Sequence, residues 1–177
     1  MKRILLVIAS LCLLCVSDLY AQKTVTLRVM SMNIRQGGEY AGNKSEPYSA
    51  LINQYQPDVV CVNLGTNDVS TDPYDKTMLE NAYRDFYYTL RAKYPEAKIV
   101  FLSGCALAGA RLEHIQFAMD GVVRQARLKG DTNVYRFDLS HQTGDLGYGA
   151  KWHPSLWQQE KMAGELTAYL RGLMKWF

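Results

Sequence analysis

The sequence predicts an α/β fold, a three-layer αβα sandwich around a mostly parallel sheet of about four strands. Short runs rich in β-branched and apolar residues alternate with longer segments whose apolar residues recur at helical spacing. One run, residues 58–64, is almost continuously apolar, as strands buried on both faces are. The chain has 177 residues, 48% hydrophobic and 21% charged, which suits one globular domain and excludes a disordered or low-complexity chain.

The elements follow in order. Residues 25–32 read as the first strand. Ser45 suits an N-cap with Pro47 in the first turn, and Tyr48, Leu51, Ile52 and Tyr55 keep helical spacing until Pro57 ends the helix. After the strand at 58–64, Asp72 is the expected cap of the next helix, with Pro73 behind it. Leu79, Ala82, Tyr83, Phe86 and Leu90 form its apolar face. Residues 98–103 are the third strand. Ile115, Met119, Val122 and Ala126 mark a helix that Gly130 closes. Residues 134–139 are the fourth strand. Pro154 and Ser155 open the last helix, with Met162, Leu166, Leu170 and Leu173 on its core side. Such alternation implies parallel strands with helices on both faces.

Residues 1–21 read as a signal peptide and 22–177 as the domain. Lys2 and Arg3 precede an uncharged, apolar stretch at 4–16, too short for a membrane span. Ala21 supplies a small residue for cleavage before Gln22. The mature protein is therefore expected outside the cytoplasm, secreted or periplasmic, with no stable membrane association. Cys61 and Cys105 remain after cleavage; a disulfide is allowed outside the cytoplasm, but both lie in or just after buried-looking strands and read as two buried thiols. A net charge of +3, dispersed along the chain, argues against a nucleic-acid partner. No His, Cys, Asp or Glu cluster has metal-ligand spacing, and residues 144–149 lack the strand–helix context of a nucleotide loop, so neither metal nor cofactor is expected.

In such folds ligands bind beyond the carboxyl ends of the strands. Two segments there carry chemistry. Gly65-Thr66-Asn67-Asp68 ends a buried strand in a glycine turn and puts a carboxamide at the rim, where it can donate to an oxyanion or simply tie the turn. Gly147 to Ser155 is glycine-rich and places His153 just before a helix, suited to a general base or to an ordinary loop histidine. An unperturbed imidazole titrates at about 6.5, which fits the first role. His141, near Asp138 and Asp145, reads as a loop histidine, and His114, beside Glu113, as a solvated one.

Together these pieces resemble the SGNH, or GDSL-type, hydrolase superfamily, and most closely carbohydrate-esterase family 2, over residues 55–177. The marks are Gln56-Pro57-Asp58-Val59-Val60 running into Gly65-Thr66-Asn67-Asp68, then residues 90–97, then Trp152-His153-Pro154-Ser155 with Lys161-Met162-Ala163. The resemblance implies a flavodoxin-like sandwich and a carboxylic-ester hydrolase that deacetylates polysaccharide or oligosaccharide. Its site would use His153 as base, Asn67 as oxyanion donor and Gly65 as the motif turn.

Two positions depart from the pattern. Superfamily members commonly orient the histidine with an aspartate three residues before it, here Ala150; others use an acid two residues before, here Lys151. The main-chain carbonyl of Lys151 is the expected substitute, since its ammonium cannot accept. No Gly-Asp-Ser block exists, and an ungapped alignment puts Asn33 at the nucleophilic serine. Either Ser31 is a fallback nucleophile, with Ser70 and Ser103 behind it, or the chain lacks the first strand–helix unit. The second case would expose a sheet edge and invite a homodimer.

Two alternatives stand beside the esterase. Residues 27–35 also resemble the opening strand of the endonuclease/exonuclease/phosphatase superfamily, implying an Mg²⁺-dependent phosphodiesterase, although Asn63 to Gly65 stand where that family carries a glutamate. The other is a non-catalytic relic of an esterase that binds glycans through Tyr148, Trp152 and Trp157.

Overall fold

The computed structural model describes residues 56–70 and 72–176. The leader, the expected strand at 25–32, the expected helix at 45–55, Ser31 and Asn33 lie outside them. Three strands, β1 (Val59–Val62), β2 (Lys98–Ser103) and β3 (Val134–Asp138), form one parallel sheet in that order. Helix α1 (Lys76–Lys93) joins β1 to β2 and α2 (Gly109–Leu128) joins β2 to β3. A 3-10 turn (Ala150–Trp152) and α3 (Leu156–Met174) complete the chain.

The pleat of β2 divides the core. Ile99 and Phe101 turn to one face, where Val62 and Val134 join Leu79, Tyr83 and Tyr87 of α1 and Ile115, Met119, Val122 and Ala126 of α2. Val100 and Leu102 turn to the other, where Met162, Leu166, Tyr169, Leu170 and Leu173 of α3 lie against them and Leu139. Phe137 stacks on Tyr169 with ring centres 4.3 Å apart. Each fully buried side chain such as Phe101 or Ile99 stabilises the fold by about 1.5–3 kcal/mol. The α1 and α2 crossovers share a face because the strands are added in one direction, and α3 closes the third layer. The expected αβα sandwich with a parallel sheet is therefore the observed one.

Four local expectations need correction. Asp75 caps α1, accepting from the Met78 N–H at 2.9 Å. Asp72, the expected cap, lies three residues earlier and bonds Arg111 of α2 at 2.5 Å instead. The buried face of α1 runs through Leu79, Tyr83 and Tyr87, with Phe86 and Leu90 packed against it as expected, but Ala82 is exposed. His114 is half-buried: its Nδ1 bonds the Tyr74 hydroxyl, because the second turn of α2 packs on the loop that enters α1. Of the two cysteines among the described residues, both free, Cys105 is buried but Cys61 is exposed, at the edge strand of the described sheet.

The amino end of the sheet is closed by Arg91. Its guanidinium bonds Asp131, with Nε 2.7 Å from Oδ2, and donates to the carbonyls of Tyr94, Pro95, Ala97 and Asn133. Tyr87 donates to the same carboxylate at 2.8 Å. Burial by itself pushes the Asp131 carboxyl up. The bonds from the Asn133 N–H, Tyr87 and Arg91, with the Arg91 charge, outweigh it and hold the group below the usual carboxylate range. Burial, with the Asp131 partner, pushes Tyr87 up to about 12.

Candidate active site

Parallel strands put all their carboxyl ends on one edge, so the loops after β1, β2 and β3 share a rim. The first is the Gly65 turn. Gly65 is buried with φ +93, a conformation only glycine adopts freely. A Cβ there would lie 2.6 Å from the Tyr83 hydroxyl. That hydroxyl donates to the Leu64 carbonyl at 2.8 Å, and burial, helped by the Asp68 charge, pushes its pKa up, so it stays a donor. Val69 is wholly buried and its N–H bonds the Gly65 carbonyl at 3.3 Å. Between these anchors Asn67 is exposed, and its carbonyl accepts from the N–H and the hydroxyl of Ser70. Arg111 secures the far side of the turn by donating to the Ser70 carbonyl at 3.0 Å.

The second loop begins with Gly104, whose open side faces the first: a Cβ there would stand 3.2 Å from Asn63 Oδ1 and 3.3 Å from Thr66 Oγ1. The next residue, Cys105, binds the third loop. Its carbonyl accepts from the Gln142 N–H at 3.0 Å and from His141 Nδ1 at 2.9 Å, and its thiol points to Gln142 Oε1 at 3.8 Å. Helix α3 grips that loop from the other side. Glu165 accepts from the Ser140 N–H at 3.0 Å and from its hydroxyl, and Gln158 donates to the Ser140 carbonyl at 3.0 Å. Burial raises the Glu165 carboxyl, but the Ser140 bonds and the Lys161 charge outweigh it and hold it low.

The third loop ends in the turn that carries His153. Gln142 Nε2 donates to the Trp152 carbonyl at 2.9 Å. Lys151 and Trp152 are both left-handed, at φ +51 and +64, which costs a non-glycine residue about 1–2 kcal/mol each. The reversal brings Tyr148 opposite Pro154 in a two-residue bridge, with the Gly149 N–H donating to the His153 carbonyl at 2.7 Å. It also brings His153 Nδ1 to the Ala150 carbonyl at 2.9 Å. The expected partner was the Lys151 carbonyl. The left-handed backbone at Lys151 folds the chain back so that the oxygen one residue earlier faces the ring. A carbonyl only accepts, so Nδ1 carries the proton and Nε2 keeps the lone pair that a base needs. Ser155 then caps α3, accepting from the Gln158 N–H at 3.2 Å and donating to the Leu146 carbonyl at 2.6 Å.

Asn67, Gly65 and His153 thus lie on loops beyond the carboxyl ends of the strands; Cys105 and Gln142 tie the second loop to the third, and Gly104 brings the second close to the first. The serines weighed as nucleophiles fare differently. Ser103 is buried and donates to Asp138 at 2.8 Å, and Ser70 donates to the Asn67 carbonyl at 2.8 Å. The remaining described serines, Ser140 and Ser155, donate to Glu165 and Leu146. Sequence reasoning missed Gln142, Gln158 and Glu165, which hold the rim together; a lone polar residue beside a strand or on a helix gives no signal until its partner is known. Beside His153 the aromatic side chains are open: Trp152 is 74%, Trp157 64% and Tyr148 44% exposed. The Tyr148 and Trp152 rings meet edge to face at 5.1 Å.

Known proteins share this sequence pattern and fold. Residues 31–175 match the model of the GDSL-like lipase/acylhydrolase family. The chain is 38% identical over 133 residues to the cellulase/esterase CelE of Acetivibrio thermocellus, covering 73% of this chain and 16% of that protein. It is 34% identical over 124 residues to an acetylxylan esterase / glucomannan deacetylase of Cellvibrio japonicus, covering 70% of this chain and 33% of the relative. A solved structure of a family two carbohydrate esterase from Clostridium thermocellum in complex with cellohexaose superposes with a TM-score of 0.68 at 37% identity, over 71% of this chain and 39% of that one. The chain therefore spans a third or less of the curated relatives named here.

Proposed function

The chain belongs to the GDSL-like lipase/acylhydrolase family, and from that premise we propose that it is an exported carboxylic-ester hydrolase that removes acetyl groups from polysaccharide or oligosaccharide. Export follows from the leader pattern of residues 1–21, and residues 22–177 are then the working domain. The observation that carries the chemistry is the His153 ring, held by a main-chain carbonyl on the rim that also bears Asn67.

In this reading an attacking hydroxyl gives its proton to His153 Nε2 while its oxygen adds to the acetyl carbonyl. Asn67 donates to the oxyanion of the tetrahedral intermediate from the Gly65 turn. The intermediate collapses when His153 returns the proton to the departing sugar oxygen, and water then releases acetate by the same steps in reverse order. The serines of the described residues are engaged in holding loops and helices together, which leaves Ser31, the fallback nucleophile outside them, as the attacking group of this proposal. The Mg²⁺-phosphodiesterase alternative rests on residues 27–35, outside the described residues.

The test compares release of 4-nitrophenol from its acetate by the mature chain and by His153→Ala and Ser31→Ala. Both variants are expected to lose at least a hundredfold in kcat. Wild-type turnover no faster than buffer, or a His153→Ala variant as fast as wild type, overturns the proposal.

A second reading has its own support. The exposed faces of Trp152, Trp157 and Tyr148 can stack on sugar rings, and a relative was solved with cellohexaose bound. Retention of the chain in a cellulose or glucomannan gel, lost in Trp152→Ala, with no hydrolysis of the acetylated polymer, would replace the esterase by a glycan-binding relic.

A further inference from the structure

Gln142 is a polar side chain buried as deeply as the core leucines, and it is engaged with the loop after β2 and with the turn that ends its own loop. Its N–H donates to the Cys105 carbonyl at 3.0 Å, its Oε1 takes the Cys105 thiol at 3.8 Å, and its Nε2 donates to the Trp152 carbonyl at 2.9 Å. A leucine or methionine would fill the same space. What the amide adds is one donor, aimed at the peptide group that joins Trp152 to His153.

That donor falls where the backbone most needs an external hold. Lys151 and Trp152 are consecutive left-handed residues, neither of them glycine, and such pairs persist only where their surroundings impose them. The bonds inside the turn, from the His153 N–H at 3.1 Å and Nδ1 at 2.9 Å to the Ala150 carbonyl, exist only once the turn has formed. The Gln142 bond reaches it from β3's loop, which Glu165 and Gln158 of α3 keep in place. We infer that Gln142 is the positioning residue for His153: its Nε2–H, by holding the Trp152 carbonyl, keeps the left-handed turn closed and so keeps the Nδ1 proton of His153 on the Ala150 carbonyl. The inference rests on the reading of His153 as the base. Removing the donor leaves a carbonyl without its partner, lets the turn relax and frees the imidazole to rotate and change tautomer.

Two variants test it in the mature chain. Gln142→Met keeps the volume and removes the donor. Gln142→Glu at neutral pH also keeps the acceptor for the Cys105 thiol, and serves if the methionine variant does not fold. Nitrogen-15 NMR of the histidine rings, with His153 assigned by His153→Ala, reads the tautomer directly. Wild type is expected to show His153 protonated at Nδ1, and the variants to shift toward the Nε2–H form of a free imidazole. With 4-nitrophenyl acetate their kcat is expected to fall about ten- to a hundredfold while KM stays within about twofold, as for a misplaced catalytic group. Adding Lys151→Gly, which removes one left-handed penalty, should recover at least threefold of that loss. A folded variant with the wild-type tautomer and kcat, changed only in Tm, overturns the inference. If wild type itself hydrolyses nothing, the esterase reading falls, and the tautomer comparison still decides whether Gln142 positions the ring.

Discussion

His153 Nδ1 meets the main-chain oxygen of Ala150 at 2.9 Å, so the position where relatives of this fold commonly carry an aspartate contributes its backbone instead of its side chain. A carbonyl carries only a partial charge. It can select the tautomer and aim the ring, but it lends the imidazolium less support than a carboxylate would. Orientation then depends on the shape of a short backbone turn, and the turn becomes the sensitive element.

Gly149 is the first place to probe that shape. Its φ of −82 suits any residue, but a Cβ there would stand 3.0 Å from the Pro154 oxygen and 3.2 Å from the His153 oxygen. Gly149→Ala must push the two arms of the turn apart by a few tenths of an ångström. We expect kcat to fall about tenfold, with a Tm change of only a few degrees, because small misplacements of reacting groups cost rate more than stability. Paired steady-state kinetics and calorimetry check it.

Asn67 is exposed, with its main chain held by Ser70 and its loop anchored through Gly65 and Val69. Asn67→Ala should therefore leave Tm within a degree or two. It should lower kcat by about 10²–10³, the usual loss for one oxyanion donor. Asn67→Asp should do no better, since a carboxylate repels the developing charge.

Gly65→Ala should act through stability. The new Cβ would collide with the Tyr83 hydroxyl at 2.6 Å and sit at φ +93, and relieving the collision would break the bond from Tyr83 to the Leu64 carbonyl. Left-handed strain and a lost buried hydrogen bond together predict a loss of about 2–4 kcal/mol, read from urea unfolding.

Asp131 predicts an acid limb. Its folded carboxyl titrates below the ordinary value of about 3.9 that applies in the unfolded chain. The stabilisation is therefore complete above about pH 4 and is lost as pH falls through the depressed folded value. Urea midpoints of wild type should drop as pH falls below about 4, and Asp131→Asn should show a shallower drop from a lower plateau. Arg91→Met, which leaves the carboxylate among buried groups without its charge partner, should cost about 3 kcal/mol at pH 7.

Much of this architecture was legible in the linear chain. Residues 98–103 read as a strand and are the central strand of the described sheet, buried from Ile99 to Ser103. The continuously apolar run at 58–64, expected to be covered on both faces, is instead the edge of the described sheet, with Cys61 and Leu64 exposed. Ile115, Met119, Val122 and Ala126 keep one helical face and are all buried. The last helix opens at Pro154 and Ser155 as expected, and Ser155 is its cap. Errors came where two residues of one type compete at short range. Asp72 and Asp75 are equal candidates for a cap until packing chooses the phase of the helix, and Arg111, far along the chain, then takes the one left over. The Ala150 carbonyl was misassigned to Lys151 for a similar reason: the sign of φ at a non-glycine residue is set by contacts from outside the turn.

What the sequence by itself determined is the succession of strands and helices, which face of each is apolar, and that Gly65 to Asp68 and His153 belong at strand ends. These follow from periodicity and from short-range capping and turn chemistry, which need no knowledge of distant neighbours. Only the tertiary structure decided that the Ala150 oxygen aims the His153 ring, that Gln142 secures the turn, and that Arg91 with Asp131 locks the opposite end. Each of those contacts joins groups whose pairing depends on where separate loops meet, and a polar side chain names its partner only once folding has excluded water from between them.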